Sequence, residues 1–207
     1  MDSIIIHPTY FPSIVQMVAI VQSIKVIFEI EDNYQKQTYR NRTYIAHSNG
    51  KLLLNIPIKH HKSKLKQKTK DVIVENDFLW QRQHWRSLQN AYRTSPFFEY
   101  YEDDLAPLFT NKVENLLNFN FNCLKIICDL LPLEIEMAKT TSYNENTQEK
   151  DLRYLVNAKT KNNFSLKPYT QVLEGLHGYL PNLSILDLLF NEGPNAISYL
   201  ENQEINF

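Results

Sequence analysis

The sequence predicts an α+β fold in which an N-terminal β-α-β unit and a β-hairpin form a small mixed sheet, followed by a mainly helical C-terminal half. Three observations indicate this fold. Two β-branched runs flank an apolar segment near the N-terminus, an Asn-Gly turn follows them, and apolar residues recur at helical spacing after residue 76. The 207 residues suffice for one core and are few for two. We therefore expect a single domain, residues 1–207, with a sheet-forming part at 1–75 and a mainly helical part at 76–207.

The β-α-β unit occupies the start of the chain. Residues 4–6 are three isoleucines, which is typical of a buried strand. Ser13 and Gln16 have the spacing of a capping box, so a helix is predicted to run from there to about Ser23. Residues 25–30 form the second apolar run. Since the connection is a helix, we expect the two strands to be parallel.

His7 and Asp32 lie at the ends of these two predicted strands. The carboxyl ends of parallel strands share one edge of a sheet, which is where open α/β sheets bind ligands. We therefore predict that His7 acts as a general base or acid, oriented by Asp32, with Tyr10 contacting substrate. The competing interpretation is that His7-Pro8 only ends the strand and that Tyr10 packs in the core.

A hairpin is predicted over residues 36–58, with its turn at Asn49-Gly50. A period of two would place Lys36, Arg40 and Arg42 on one face of its first strand. Guanidinium groups bind phosphate and carboxylate bidentately, so these three residues are predicted to bind a small anionic ligand. A solvated strand face, or an edge protected by charge, would give the same pattern.

Charge is unevenly distributed along the chain. The net charge is −1, yet residues 36–70 contain ten Lys and Arg and no Asp or Glu. This block includes a Lys-rich stretch, residues 59–70, that we predict to be a solvated loop. The same block would also suit a nucleic-acid-binding module in which bases stack on Tyr39 and Tyr44. The acidic remainder of the chain argues against nucleic acid as the partner.

The second half is predicted to be mainly helical. A helix over residues 78–95 carries a stripe of Trp80, His84, Leu88 and Tyr92. His84 is a candidate catalytic residue and Tyr92 a candidate substrate-binding residue, although residues on such a stripe are more often part of a core. Further helices are predicted at 103–117, at 120–131 and from Ser184 to Gly193, while 139–167 is predicted to be irregular.

Composition argues against several classes of protein. With four glycines, the chain has no Gly-rich phosphate loop, and we predict no cofactor. His60-His61 lacks a nearby acid or cysteine, so we predict no metal site. Cys123 and Cys128 are predicted to be buried fillers. The N-terminus has no basic segment, and polar residues interrupt the apolar stretch 14–28, so we expect a cytoplasmic protein without a membrane span.

Several motifs, in order along most of the chain, resemble those of the WbqC-like protein family. His7-Pro8-Thr9-Tyr10-Phe11-Pro12 resembles the family's opening H-Q-P-x-Y-F-P. The other matching positions are Asp32, Asn41-Arg42, Gly50, Leu54-Asn55-Ile56-Pro57-Ile58, Trp80, His84, Ala91-Tyr92, Pro96-Phe97-Phe98 and residues 183–191.

The chain also departs from the family's pattern at two places. The Gln between His7 and Pro8 is absent, and the Y-L-S-G segment expected near residues 157–166 is replaced by the polar stretch 158–163. A changed segment of this kind predicts either a different ligand or a loss of activity.

The resemblance implies a bacterial transferase in surface-polysaccharide (O-antigen) biosynthesis. Its reaction would transfer an amino acid such as glycine, or another acyl group, to an activated sugar. Together with the basic block, this predicts a nucleotide sugar or an activated acyl donor as the small anionic ligand. The alternatives are the nucleic-acid-binding module and a non-catalytic partner in an assembly.

Overall fold

A computed structural model describes residues 2–60, 66–159 and 164–207. Its first strand, β1 (Ser3–Ile6), pairs in parallel with β2 (Lys25–Phe28), and helix α1 (Ile14–Val21) connects them. The Ser13 side chain accepts a hydrogen bond from the backbone N–H of Gln16, as the capping motif predicts. The β-α-β unit and the parallel pairing are therefore confirmed, as is the α+β class.

Two further strands complete a four-stranded parallel sheet of order β5-β2-β1-β6. They are β5 (Glu136–Lys139), which pairs with β2, and β6 (Lys150–Asp151), which pairs with β1. The second of these lies inside residues 139–167, so the prediction that this region is irregular throughout is wrong. Both strands are short, mostly exposed and rich in charge, so hydrophobic periodicity gives no signal for them.

The hairpin forms a separate two-stranded sheet instead of joining the first. Strands β3 (Arg42–His47) and β4 (Gly50–Asn55) pair in antiparallel register around the predicted turn, where Gly50 has a φ of +105°. Because β3 begins at Arg42, residues 36–41 lie outside the strand. The prediction that Lys36, Arg40 and Arg42 share one strand face is therefore wrong.

The helices mostly follow the predicted order. They are α2 (Trp80–Tyr92), α3 (Phe98–Leu105), α4 (Pro107–Thr110), α5 (Leu116–Leu130), α6 (Glu174–His177), α7 (Ile185–Glu192) and α8 (Ala196–Glu201). The single helix predicted over 103–117 is wrong. Pro107 begins a new helix because it has no N–H to continue the preceding one, and Asn115 caps the start of α5.

One cluster of buried hydrophobic residues joins β1, α1, the hairpin and helices from both halves of the chain. Trp80, Leu88 and Tyr92 belong to it, as the apolar stripe predicts. Cys123 and Cys128 are free thiols and are both buried. Within the described ranges, no helix is both long enough and apolar enough to cross a membrane.

Candidate active site

A cavity of about 850 Å³, here called the main cavity, lies at the carboxyl ends of β1, β2 and β6. This is the edge of the sheet where the sequence predicts a ligand. Its lining residues are His7, Glu31, Asp32, Asn33, Tyr34, Gln35, Arg40, Lys66, Lys68, Tyr143, Glu145, Asp151, Arg153, Tyr154, Val156 and Asn157. The structure thus brings three predicted site residues, His7, Asp32 and Arg40, to one place.

Arg40 links the other two. Its Nη2 lies 2.5 Å from Asp32 Oδ2 and 3.0 Å from His7 Nε2. The Arg40 side chain is 1% exposed, so the Asp32 carboxylate balances its charge instead of water. Since a guanidinium only donates, His7 Nε2 must accept this hydrogen bond, and the imidazole proton resides on Nδ1.

His7 is a neutral imidazole. Burial lowers its pKa well below the ordinary 6.5, and the neighbouring Arg40 charge lowers it further, while the Glu29 backbone has a smaller opposite effect. Asp32 Oδ2 lies 3.8 Å from Nε2, close enough to stabilise an imidazolium if one forms. The arrangement can therefore accept a proton at Nε2 and balance the resulting charge.

Two residues that sequence reasoning missed hold these groups in place. Thr69 donates its hydroxyl to Asp32 Oδ1 at 2.5 Å, and its backbone N–H donates to the Asp32 carbonyl. Gln16 donates from Nε2 to the His7 carbonyl at 2.7 Å and accepts from the Thr9 hydroxyl. The capping box gave a signal for Gln16, but its side chain positions the His7 loop instead of closing back on the helix.

Glu29 and Arg153 are further charged residues that the sequence did not single out. Glu29 is fully buried directly after β2, where Oε1 accepts from the Glu31 N–H and the Thr140 hydroxyl. Arg153 binds Asp151 through two nitrogens and lies 3.5 Å from Glu29 Oε2. A carboxylate at the end of a parallel strand was the available signal for Glu29.

Arg153 also attaches a loop to the cavity. It donates to the carbonyls of Asn144 and Glu145, and its guanidinium lies 5.4 Å from the centre of the Tyr143 ring. Tyr143 and Tyr154 are 49% and 44% exposed. The main cavity therefore combines acidic side chains with accessible aromatic rings.

Lys36 and Arg42 lie in a second cavity of about 390 Å³, here called the basic hollow. Its lining residues are Tyr34, Lys36, Gln37, Asn41, Arg42, Asn55, Ile58, Lys59, His60 and Gln67. Arg42 is thus separated from Arg40, and Tyr34 lines both cavities.

Tyr10 and His84 meet in the core. Tyr10 is 0% exposed, and its hydroxyl forms a 3.0 Å hydrogen bond with His84 Nδ1. Burial lowers the pKa of His84 to about 4, so this imidazole is neutral. Neither residue lines the main cavity or the basic hollow.

Tyr92 is also completely buried. Its hydroxyl donates to Asp187 Oδ2 at 2.7 Å and accepts from the Ala46 N–H, which joins α2, α7 and β3. Burial raises the pKa of Asp187, whose other oxygen accepts from the Tyr169 hydroxyl. This network links elements of the core and lies apart from the two cavities.

Parts of two sequence predictions lie outside the described residues. These are positions 61–65 of the predicted 59–70 loop, including His61, and positions 160–163 of the altered family segment. The neighbouring Asn157 lines the main cavity. Among the residues that are described, no group of three or more His, Cys, Asp or Glu side chains is arranged to hold a metal ion.

Comparisons with known proteins agree with the sequence motifs. The model of the WbqC-like protein family matches residues 7–171. This range includes the predicted site residues that line the main cavity and those that line the basic hollow. The chain is also similar to an uncharacterized protein of Mycobacterium tuberculosis, with 26% identity over 194 residues, covering 81% of this chain and 83% of the relative. No solved structure matches the chain.

Proposed function

The chain belongs to the WbqC-like protein family, and we propose that it is a transferase of surface-polysaccharide biosynthesis that moves an amino-acid or other acyl group onto an activated sugar. The reaction would take place in the main cavity. The observation that carries this proposal is the meeting of His7, Arg40 and Asp32 at the carboxyl edge of a parallel sheet.

His7 supplies the base. Acyl transfer to an amine or hydroxyl forms a bond from the attacking atom to the acyl carbon and breaks the bond from that carbon to the donor's activating group, which leaves. It requires a base that removes the proton from the attacking atom and can return it to the leaving group. The neutral imidazole has a lone pair on Nε2, and an acceptor N–H or O–H replaces the Arg40 N–H there. Asp32 keeps the guanidinium in place during this exchange, since Thr69 fixes its other oxygen.

The remainder of the main cavity suits a sugar. Sugars present hydroxyls, which carboxylates bind by hydrogen bonding, and apolar C–H faces, which pack on aromatic rings. Glu31 and Glu145 provide carboxylates, while Tyr143 and Tyr154 provide partly exposed rings. Since this lining contains four acidic side chains and four Lys or Arg side chains, it favours a polar and nearly neutral group over a strongly charged one.

The basic block supports a nucleic-acid-binding function less well. Tyr39 and Tyr44 contact each other edge to face at 6.1 Å, and both are only partly exposed. This pair therefore does not present two free, parallel ring faces on which bases could stack.

The experiment that tests the proposal is a product search by mass spectrometry. The protein is incubated with a panel of nucleotide sugars and amino sugars together with amino acids and activated acyl donors. A covalent product is expected with the wild type and with His47→Gln, a histidine on the hairpin. It should be reduced about 100-fold or more in His7→Gln. Equal activity of His7→Gln and the wild type would contradict the proposal.

A further inference from the structure

We propose that the basic hollow is a phosphate-binding subsite, which takes the phosphate groups of a nucleotide-linked substrate whose sugar lies in the main cavity. Only the identification of the ligand as a nucleotide-linked substrate rests on the proposed function. The assignment of a phosphate site rests on the residues of the hollow itself.

The charge of the basic hollow differs from that of the main cavity. Its lining contains Lys36, Arg42 and Lys59 and no Asp or Glu. None of these three cations forms an ion pair with a described residue. Residues 61–65, which lie outside the description, contain no acid that could neutralise them. An oxyanion is the ligand that such a set of donors recognises.

Most cations around the main cavity are already engaged, although Lys66, which also lines it, has no ion pair with a described residue. Arg40 binds Asp32, and Arg153 binds Asp151. Lys68 donates to the carbonyl of Glu31, and Lys70 pairs with the carboxylate of the same residue. Among the described residues, the basic hollow therefore has three cations without an ion pair, whereas the main cavity has Lys66 and also Lys68, whose ammonium is held by the Glu31 carbonyl.

Two buried donor atoms, one of which belongs to Arg42 itself, also lack a partner. Arg42 Nε and the Tyr34 hydroxyl are buried and have no hydrogen-bond partner among the described residues. An unsatisfied buried donor costs about 1–3 kcal/mol in an ordinary fold, so its retention indicates a partner in function. Both atoms are closed to solvent in this conformation, so a phosphate in the hollow would accept from them only after the two side chains shift. Burial raises the pKa of Tyr34 to about 12, so its hydroxyl keeps the proton it would donate.

The backbone of the hollow is also strained. Gln37, which lines it, has a φ of +62°, in the left-handed region that residues with a Cβ seldom adopt. Strain of this kind persists where the surrounding structure fixes it and is frequent at ligand sites. The conformation turns the chain between Lys36 and Thr38, so that the neighbouring lysine lines the hollow.

The segments around Tyr34 and Gln67 lie between the basic hollow and the main cavity. Tyr34 N–H donates to the Gln67 carbonyl at 2.8 Å, and Asn33 forms a β-bridge with Lys68. Gln67 lines the hollow, whereas Lys68 lines the main cavity. A phosphate in the hollow and a sugar in the main cavity would lie on either side of Tyr34 and this bridge, so the bond that joins them in a nucleotide sugar would have to pass over the bridge on its solvent side.

The test uses inorganic pyrophosphate and isothermal titration calorimetry at low salt. Binding to the wild type is expected, and it should weaken as salt screens the exposed lysines. Arg42→Gln should weaken it about tenfold or more, because a charge-assisted hydrogen bond is lost. The double variant Lys36→Gln/Lys59→Gln changes only exposed side chains, so it preserves the fold and should show a similar loss. Arg86→Gln, which removes an exposed charge from α2, is the matched control and should bind as the wild type does.

The outcomes separate this inference from the proposed function. Absence of pyrophosphate binding by the wild type, or equal binding by the wild type and the lysine double variant, would overturn the phosphate site. His7→Gln should retain pyrophosphate binding, because His7 lies outside the hollow. If Arg42→Gln loses binding while His7→Gln keeps full transfer activity, the phosphate site stands and the proposed reaction centre fails.

Discussion

Arg40 Nη2 lies 3.0 Å from His7 Nε2, so the lone pair of a buried histidine accepts a hydrogen bond from a group that is always charged. This contact fixes the tautomer of the imidazole and favours its neutral form. It also means that Arg40 orients the proposed base instead of binding an anionic substrate directly. Asp32 completes the arrangement by neutralising the guanidinium.

The Arg40–Asp32 pair should show strong energetic coupling. Arg40→Met leaves the Asp32 carboxylate buried without its cation, which should cost about 3–5 kcal/mol of unfolding free energy. The loss of unfolding free energy in the double variant Arg40→Met/Asp32→Asn should be smaller than the sum of the two single losses by about 2 kcal/mol or more. Denaturant unfolding measures this cycle.

The exposed pair Lys112 and Glu114, 3.4 Å apart, provides the control cycle. Its coupling should stay below about 1 kcal/mol, because solvent screens exposed ion pairs. Additive effects at Arg40 and Asp32 would contradict the buried contact.

Gln16 should matter far more than an ordinary helical glutamine. Gln16→Met keeps the length of the side chain but leaves the His7 carbonyl and the Thr9 hydroxyl without their partner. The expected loss is about 1–3 kcal/mol of unfolding free energy. Gln83→Met, at an exposed position of α2, should change stability by less than about 0.5 kcal/mol. Equal effects of the two substitutions would show that Gln16 does not hold the loop.

His84 predicts a loss of stability in mild acid. Its pKa is about 4 in the folded protein and 6.5 when unfolded, so the unfolded chain binds the proton first. The stabilisation is complete above pH 6.5 and decreases as the pH falls towards 4, by about 3 kcal/mol in total. Burial lowers the pKa of His7 in the same direction.

Comparison with His84→Gln isolates this contribution, since groups with opposite behaviour, such as Asp187, are common to both proteins. The difference in unfolding free energy between wild type and variant should decrease between pH 6.5 and 4. A difference that is independent of pH would contradict the buried, neutral state of His84.

Gly193 should tolerate no larger residue. Its φ is +53°, and a Cβ would lie 2.5 Å from ring carbons of Phe97. Gly193→Ala should therefore cost about 2–4 kcal/mol, through both overpacking and backbone strain. Gly175→Ala is the control, since nothing lies within 4 Å of the corresponding Cβ, and its effect should be near zero or slightly stabilising. Thermal unfolding of the two variants distinguishes the positions.

Local sequence signals were sufficient for much of the fold. Ser13 marked the start of α1, Gly50 marked the hairpin turn, and Ser184 marked the start of α7. Each signal rests on backbone chemistry confined to a few residues, such as a side-chain cap or a positive φ. The ends of β1 and β2 likewise placed His7 and Asp32 at one edge of the sheet.

The remainder depends on contacts between distant residues. Lys150 and Asp151 become a strand only because β1 offers a free edge, and no local pattern encodes that pairing. Arg40 can be buried because it pairs with Asp32, which lies before the predicted hairpin and so does not enter its period-two pattern. Thr69 is an ordinary residue in a basic stretch until the chain brings it to Asp32. Charges neutralised across the fold cannot be inferred from the spacing of residues along the chain.

The most direct measurement of the central claim, that His7 is a neutral proton acceptor beside Arg40, is a pH titration of the histidine side chains by long-range ¹H–¹⁵N NMR, with His7→Gln to assign the signal. We predict that His7 is neutral at pH 7, carries its proton on Nδ1 and takes up a second proton only well below pH 6.5. An imidazolium at pH 7, or a proton on Nε2, would contradict the account.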